Sequence, residues 1–348
     1  MYNRNAFVRE ESVTSVFFDL EKAYDTTWRY NILRELYNIR LRGNLPICIR
    51  NFFQNRVFKV RVGSNYSTTH EQHEGVPQGS VLSTTCFIIA INSISHVLPP
   101  GIRYSIYVDD LLISYAGSNK TVVQNVLQTA INNITKWTNE HGFKFSVNKT
   151  VAVNFSRQKK IMKPTLLLYN EPIQFKDKVK FLGVIFDSRL TFKAHINELK
   201  ISSKKSLNLL RVLSYTAWGA DRRTLLRLHN SLILSKLDYG CQAYASASER
   251  TLNKLNSIHN EGLRISTGVF KSSPVISLYA ETGFCSLKTR RSKICLRYYC
   301  RVASKFSPSL LRTISNTTLM ENFQQKESLL KPLNIRLKLL VETHRVSA

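Results

Sequence analysis

The chain has 348 residues, of which 43% are hydrophobic and 10% aromatic, a composition that predicts about two or three globular domains and excludes a disordered chain. Its 50 lysines and arginines, against 23 aspartates and glutamates, give a net charge of +27. This excess indicates a polyanionic partner such as nucleic acid, with a merely soluble basic protein as the alternative.

Membrane and disulfide-rich classes are also excluded. No apolar run is long enough to span a membrane, and the polar amino terminus is unlike a secretory signal. The six cysteines form no C-x-x-C pair and have no histidine pair at zinc spacing. We therefore expect an intracellular protein with reduced thiols.

Strands and helices alternate in the first predicted elements. The run SVFFDL (15–20) predicts a strand that ends on Asp19, and apolar residues at helical spacing from Trp28 to Ile39 predict a helix. The following segments predict a second short helix, a hairpin that turns at 63–65, and a buried helix after GVPQGS (75–80).

Two adjacent aspartates interrupt the apolar segment RYSIYVDDLLISYAG, which predicts a hairpin with Asp109 and Asp110 at its tip. An amphipathic helix follows, and Gly142 stands where its C-cap is expected. The segments FKFSV, TVAVNFS, TLLLYN and KVKFLGVIFD then predict short strands.

The pattern changes at about residue 192, where the remaining segments become helix-like, amphipathic and basic. Residues 201–348 carry a net charge of +16, against +11 for the longer stretch 1–200. The sequence therefore predicts an α+β region up to about residue 190, followed by an all-helical basic region that binds phosphates.

Three features indicate chemistry when they are taken together: Asp19 at a strand end, Asp109 with Asp110 in a hairpin, and the glycine-containing GVPQGS. Each alone is ordinary, as a solvated strand end, a turn and a second turn. A strand ending in Asp19 beside the hairpin would bring two carboxylates to one site, where they need a cation between them. Two Mg²⁺ ions about 4 Å apart are the usual arrangement for in-line phosphoryl chemistry.

Four segments, VFFDLEKAYDTTW, GVPQGSVLSTTCF, YVDDLLI and KFLGVIFD, resemble in this order the motifs of a reverse transcriptase. The similarity is to the polymerases of non-LTR retrotransposons, in particular the Jockey-like group of arthropods, and extends from about residue 8 to at least 300. It implies an α+β polymerase palm, an antiparallel sheet with helices, followed by an all-helical basic thumb and carboxy-terminal region.

The resemblance also implies domain limits. Residues 1–190 would be the palm, 191–310 the helical thumb and carboxy-terminal nucleic-acid-binding region, and 311–348 a poorly patterned tail. Because 18 residues precede Asp19 and the family has a fingers subdomain upstream, we expect an amino-terminally truncated chain without fingers. Thr84 stands where the family usually has proline.

The resemblance assigns the catalytic and metal-binding roles to Asp19, Asp109 and Asp110, the first two as the main metal-binding carboxylates. The cofactor would be Mg²⁺, with Mn²⁺ as an alternative.

Four further residues match nucleotide-binding positions. Tyr24 matches the aromatic gate that excludes a 2′-hydroxyl, and its alternative interpretation is a core aromatic. Gln78 and Gly79 match the segment that contacts the incoming nucleotide. Lys149 matches a lysine near the triphosphate that protonates the leaving pyrophosphate, and its alternative is a solvated loop lysine.

Phe181, Leu182 and Gly183 match the primer-grip turn. The activity implied is RNA-directed DNA polymerisation by two-metal-ion nucleotidyl transfer, with an RNA template, a DNA primer and dNTPs as partners and no membrane. We expect it in the nucleus and in cytoplasmic ribonucleoprotein. One alternative is a catalytically inactive nucleic-acid-binding remnant of such an element; another is an RNA-dependent RNA polymerase, which Tyr24 argues against.

Overall fold

The computed structural model describes residues 6–7, 9–158, 163–304 and 333–344. It divides into two compact units. Glu11–Asp177 form the first, the sheet unit, and the chain from Lys178 onward, with the residues before Glu11, forms the second, the helical unit. The tail predicted for 311–348 lies outside the described residues except at 333–344, which are helical. The limits proposed for palm and thumb stay predictions.

The sheet unit begins with a strand and alternates strands with helices, as the sequence predicts. Its elements are β1 (Ser12–Asp19), α1 (Arg29–Asn38), α2 (Asn44–Phe53), β2 (Val57–Phe58), β3 (Arg61–Val62), β4 (Asn65–Tyr66), β5 (His70–Glu71), α3 (Val81–Asn92), β6 (Arg103–Tyr107), β7 (Asp110–Gly117), α4 (Lys120–His141), β8 (Val151–Phe155), β9 (Leu167–Leu168), β10 (Glu171–Pro172) and β11 (Gln174–Phe175).

A five-stranded sheet in the order β11-β8-β1-β7-β6 organises this unit. Strand β1 lies in the middle, antiparallel to β7 on one side and to β8 on the other. Every residue of β1 except its last, Asp19, is buried, because apolar or small side chains occupy both of its faces. The sheet therefore places the one charged residue of β1 at its carboxyl end.

Helices α1, α3 and α4 supply the apolar residues that cover the sheet. Phe87 of α3 and Ile131 of α4 join Phe18 and Leu111 of the strands in one buried core. Helix α4 has well-formed ends: the Asn119 side chain accepts hydrogen bonds from two backbone N–H groups at its start. The predicted C-cap Gly142 is in the left-handed conformation at φ 73°.

The strand predicted for 143–147 is wrong. This segment makes a single bridge, between Phe145 and Leu20, and two flanking backbone hydrogen bonds, Glu21 N–H to the Lys144 carbonyl and Ser146 N–H to the Asp19 carbonyl, both 2.8 Å. The pairing stops there because β1 itself ends at Asp19. The segment thus lies against the carboxyl end of β1 and carries the chain past it.

The helical unit starts with a β-hairpin and is helical thereafter within the described residues, as predicted from residue 192. Its elements are β12 (Lys178–Phe181), β13 (Val184–Asp187), α5 (Lys193–Leu213), α6 (Arg222–His229), α7 (Ser235–Asp238), α8 (Cys241–Tyr244), α9 (Glu249–Leu252), α10 (Asn256–Thr267), α11 (Val275–Thr282), α12 (Leu287–Ser304) and α13 (Leu333–His344). A π-helical turn, Asn230–Leu234, joins α6 to α7. None of the helices in the described ranges has the length and apolarity to cross a bilayer.

Candidate functional site

The register of the central sheet brings two of the predicted carboxylates together. Asp19, the last residue of β1, is the direct partner of Asp110, the first residue of β7. Tyr107 closes the hairpin opposite Asp110, so the turn consists of Val108 and Asp109. The predicted hairpin tip therefore holds Asp109 alone, and Asp110 belongs to the strand.

The turn between β6 and β7 is strained at Val108, which has φ 57°. A β-branched side chain is disfavoured in this left-handed region, at a cost of about 1–3 kcal/mol. Such strain persists where the surrounding structure fixes the conformation, here the paired strands on each side of the turn. The consequence is that Asp109 is presented directly beside Asp110.

The three carboxylates repel one another. Burial, followed by the charges of Asp109 and Asp19, raises the pKa of Asp110. One oxygen of Asp19, Oδ2, is covered from solvent and has no hydrogen-bond partner among the described residues. The cation beside it is Lys149, whose Nζ lies 3.4 Å from that oxygen. Lys149 lies in an exposed turn, with 72% of its side chain accessible, and its role stays a prediction.

The loop that contains Gln78 is hydrogen-bonded to the segment that follows Asp19. Val76 N–H donates to the Tyr24 carbonyl at 2.8 Å, and the Gln78 side-chain amide donates to Asp25 Oδ1 at 3.0 Å. Gly79, at φ 90°, has open space where a Cβ would stand. The predicted nucleotide-binding residues Gln78 and Gly79 thus belong to the same unit as the carboxylates.

Gly75 allows this close approach, because a Cβ there would lie 2.6 Å from the Asp25 carbonyl oxygen. We expect Gly75→Ala to lower the free energy of unfolding of the sheet unit by about 2–4 kcal/mol. Urea denaturation measures this loss. Gly79→Ala is the matched control, since Gly79 also has a positive φ but nothing within 4 Å of the added carbon. Equal losses in the two variants would contradict the role given to the contact.

The Tyr24 ring is half-buried and stacks on Phe87, with ring centroids 4.9 Å apart and an interplanar angle of 20°. It packs against the core of the sheet unit and is not wholly enclosed by it. The stacking fixes the plane of the ring, which a steric gate requires. Its role as a gate stays a prediction.

The predicted primer-grip residues lie in the helical unit. Phe181 ends β12, and Leu182 with Gly183 forms the turn to β13. The Tyr239 hydroxyl donates to the Leu182 carbonyl at 2.8 Å, and its ring packs where a Cβ on Gly183 would stand. Tyr239 therefore fixes the conformation of this turn.

Two residues of the site were not predicted from the sequence. Asp25, which orients Gln78, lies within the motif DLEKAYD, and its acidic side chain six residues after Asp19 could have indicated a role in the site. Arg29 donates from Nε to the Gly75 carbonyl at 2.8 Å and from Nη1 to the Phe53 carbonyl at 3.0 Å. Its partners are backbone groups, which leave no pattern in a sequence.

The donor set suits a hard divalent cation, although the described residues contain no cluster of three or more histidine, cysteine or acidic residues arranged around one metal position. Magnesium is typically held by one or two carboxylates together with substrate phosphates. Asp19 and its neighbours Asp109 and Asp110 offer carboxylate oxygens, one of them covered and without a hydrogen bond. They fit a site that a phosphate substrate completes.

The profile of the family described as "Reverse transcriptase (RNA-dependent DNA polymerase)" matches residues 3–186, and the chain belongs to this family. Its curated relatives include the probable RNA-directed DNA polymerase from transposon X-element of Drosophila melanogaster, 24% identical over 280 residues, and the RNA-directed DNA polymerase from mobile element jockey of Drosophila funebris, 23% identical over 269 residues. Each alignment covers 76% of this chain and 29% of the relative.

The resemblance to non-LTR retrotransposon polymerases of the Jockey-like group is confirmed, as is the predicted α+β fold class. The chain spans about 29% of the length of these relatives. Among solved structures, apo telomerase from Candida tropicalis is 13% identical with a TM-score of 0.44, covering 84% of this chain and 47% of that one.

Proposed function

We propose that this chain provides polymerase residues of an RNA-directed DNA polymerase of a non-LTR retrotransposon, which adds nucleotides from dNTPs to a DNA primer on an RNA template. The observation that carries the proposal is the pairing of Asp19 with Asp110 at the end of adjacent strands, with Asp109 in the adjoining turn. Family membership supports it, because the curated relatives are named RNA-directed DNA polymerases.

The family generally depends on a divalent metal. We propose that Asp19 and Asp109 hold Mg²⁺, or Mn²⁺ in its place, with Asp110 contributing to the same site. Such cations lower the pKa of a primer 3′-hydroxyl and neutralise the triphosphate when they are bound. The raised pKa of Asp110 supports this assignment, since crowded carboxylates are stabilised by a cation between them.

The remaining residues would position the substrate and move a proton. Lys149, whose Nζ lies near Asp19 Oδ2, would bind the triphosphate and give a proton to the departing pyrophosphate. Gln78, oriented by Asp25, would contact the incoming nucleotide together with Gly79. The Tyr24 ring would exclude a 2′-hydroxyl, so the product would be DNA.

The helical unit would hold the template and primer. Its basic residues give it the larger share of the net charge, and duplex phosphates are the partner that such charge attracts. Phe181, Leu182 and Gly183 would support the primer in the turn fixed by Tyr239. For this function we expect the protein to act in the nucleus and to be present before that in cytoplasmic ribonucleoprotein.

Primer extension with dNTPs and Mg²⁺ or Mn²⁺ on an RNA template tests the proposal. We expect extension by the wild-type chain and a loss of about 10³-fold in Asp109→Asn, because the variant removes a charge that the phosphoryl transfer requires. Strongly salt-dependent template binding without extension by either protein would instead identify a nucleic-acid-binding remnant.

A further inference from the structure

A cavity of about 570 Å³ lies within the helical unit, and three cationic side chains contribute to its wall. Arg291 comes from α12 and Arg336 from α13, while Lys288 lies one turn before Arg291. The segment between α8 and α9 adds the hydroxyl groups of Ser246 and Ser248. The proposed polymerase site uses none of these residues.

Arg291 is buried without a counter-ion. Its exposed fraction is 9%, and it makes no ion pair or hydrogen bond with any described residue. A guanidinium has five N–H donors, and an acceptor that enters the cavity can bind the donors of Arg291 that no described residue pairs.

Arg336 is in a similar state. One of its terminal nitrogens donates to the Gln242 carbonyl at 2.5 Å, but its Nε is covered and has no hydrogen-bond partner among the described residues. The one carboxylate in the described cavity wall, Glu249, is paired with Lys288 at 3.3 Å. Neither arginine has a carboxylate within ion-pair distance in the described part of the chain.

The electrostatics of the wall are those of a site with excess positive charge. Burial lowers the pKa of Arg336, against the opposing charges of Cys295 and Cys241, and repulsion from Arg291 acts in the same direction as burial. The Cys295 thiol, also in the wall, has its pKa lowered by its contact with Cys241 and, to a smaller extent, by the two guanidinium charges.

We propose that this cavity binds a phosphate monoester through Arg291 and Arg336. A monoester carries nearly two negative charges at pH 7, which matches two guanidinium groups, whereas a carboxylate carries one. Planar guanidinium groups bind phosphate oxygens in pairs. A cavity of this volume also holds the group that bears the phosphate, up to the size of a nucleotide.

Hydrogen–deuterium exchange of the full chain, with inorganic phosphate, a nucleoside monophosphate or acetate added at equal ionic strength, tests this inference. We expect either phosphate, at up to about 10 mM, to slow exchange saturably in α12, α13 and 245–253, and acetate to have no such effect. Peptides of the sheet unit serve as the internal reference. No protection by phosphate, or equal protection by acetate, would overturn the proposal.

In Arg291→Gln the apparent affinity for phosphate, read from the exchange protection, should fall at least about tenfold, because the variant removes one of the two charges that hold the dianion. Arg297→Gln on the same helix is the matched control: it makes the same change at an exposed arginine and should keep the response. Without phosphate Arg291→Gln should be at least as stable as the wild type, since it removes an unpaired buried charge. A wild-type response in Arg291→Gln would refute the site.

The source of the phosphate is resolved by one further pair of probes. A DNA oligonucleotide with a 5′-phosphate that protects these helices where its unphosphorylated twin does not would identify the end of a nucleic acid. Tighter protection by the nucleoside monophosphate than by the oligonucleotide would identify a free nucleotide. Protection of α12 and α13 by both oligonucleotides alike, surviving in Arg291→Gln, would place the contact on the outer surface and overturn the proposal.

Discussion

Asp19→Asn should abolish primer extension and at the same time make the sheet unit slightly more stable. The activity should fall by about 10³-fold, because Asp19 supplies a charge of the proposed metal site. The stability should rise slightly, because like charges directly opposed across two strands are destabilising and Asp19 is the cross-strand partner of Asp110, while the exposed pair with Lys149 that is lost contributes little. Urea denaturation and primer extension on the same preparations measure the two effects.

The raised pKa of Asp110 determines how the stability gained in Asp19→Asn should depend on pH. Asp19 contributes to raising that pKa, so Asp110 should ionise more easily in Asp19→Asn. A carboxyl group with a raised folded-state pKa destabilises the protein fully above that pKa, and this destabilisation disappears only as the pH falls below the unfolded-state pKa. The stability gained in the variant should therefore be present at pH 7 and disappear under acidic conditions.

Glu21→Gln is the matched control for Asp19→Asn. It makes the same change of charge two residues away, at an exposed side chain whose nearest cation is Lys144 at 3.9 Å. Neither activity nor stability should change measurably, because exposed pairs of this kind contribute little. A loss of extension in Glu21→Gln as large as in Asp19→Asn would mean that general acidity, rather than the paired carboxylates, carries the activity.

Where a side chain's role follows from its place in a strand, the sequence was sufficient to predict it. The apolar run ending on Asp19 and the interrupted run at Asp109 and Asp110 predicted two strands, and their pairing brings the carboxylates together. The hairpin at 57–71 and the C-cap at Gly142 were predictable for the same reason, since turn and cap residues have local causes.

Where a role depends on contacts between distant segments, no sequence pattern predicts it. Arg29 bonds backbone carbonyls 24 and 46 residues away, and any residue supplies a carbonyl. The segment 143–147 has the alternation of a strand, but the end of β1 limits its pairing to one bridge. Arg291 belonged to a segment predicted as a basic helix and Arg336 to the poorly patterned tail, and only tertiary packing brings both into the wall of one cavity.

A buried pair of histidines should make the helical unit sensitive to acid. His259 Nε2 lies 3.2 Å from the Cys285 carbonyl and must donate to it, so His259 Nδ1 accepts from His229 Nε2 at 3.1 Å. His229 Nδ1 is then unprotonated, covered, and without a partner among the described residues. A further proton would place two N–H groups face to face or put a charge in an apolar interior.

Burial accordingly lowers the pKa of His229 to about 3, helped by repulsion from His259 and Arg290. It lowers the pKa of His259 to about 4, where the carbonyl of Cys285 and the charge of Asp238 act in the opposite direction and Arg290 in the same one. The unfolded chain binds a proton on each histidine near pH 6.5. Stability is therefore fully present above about pH 6.5 and is lost as the pH falls from there toward 4.

At pH 5 each histidine should have reduced the free energy of unfolding of this unit by about 2 kcal/mol. Native-state hydrogen exchange of α6 and α10, corrected for intrinsic rates, measures this loss between pH 7 and 4.5. The pair should contribute about 2.7 kcal/mol per pH unit to the slope, which corresponds to two protons taken up on unfolding.

His259→Gln should halve the contribution of the pair to the slope, because one titrating group remains of the two while an amide can still accept from His229 and donate to the Cys285 carbonyl. His96→Gln, at an exposed histidine of the sheet unit, should leave it unchanged. His195, also in the helical unit, has its pKa lowered by burial and contributes equally to all three proteins, so the difference between them isolates the pair. An unaltered slope in His259→Gln would mean that the acid sensitivity arises elsewhere, and a flat stability from pH 7 to 5 would mean that the pair accepts protons without unfolding.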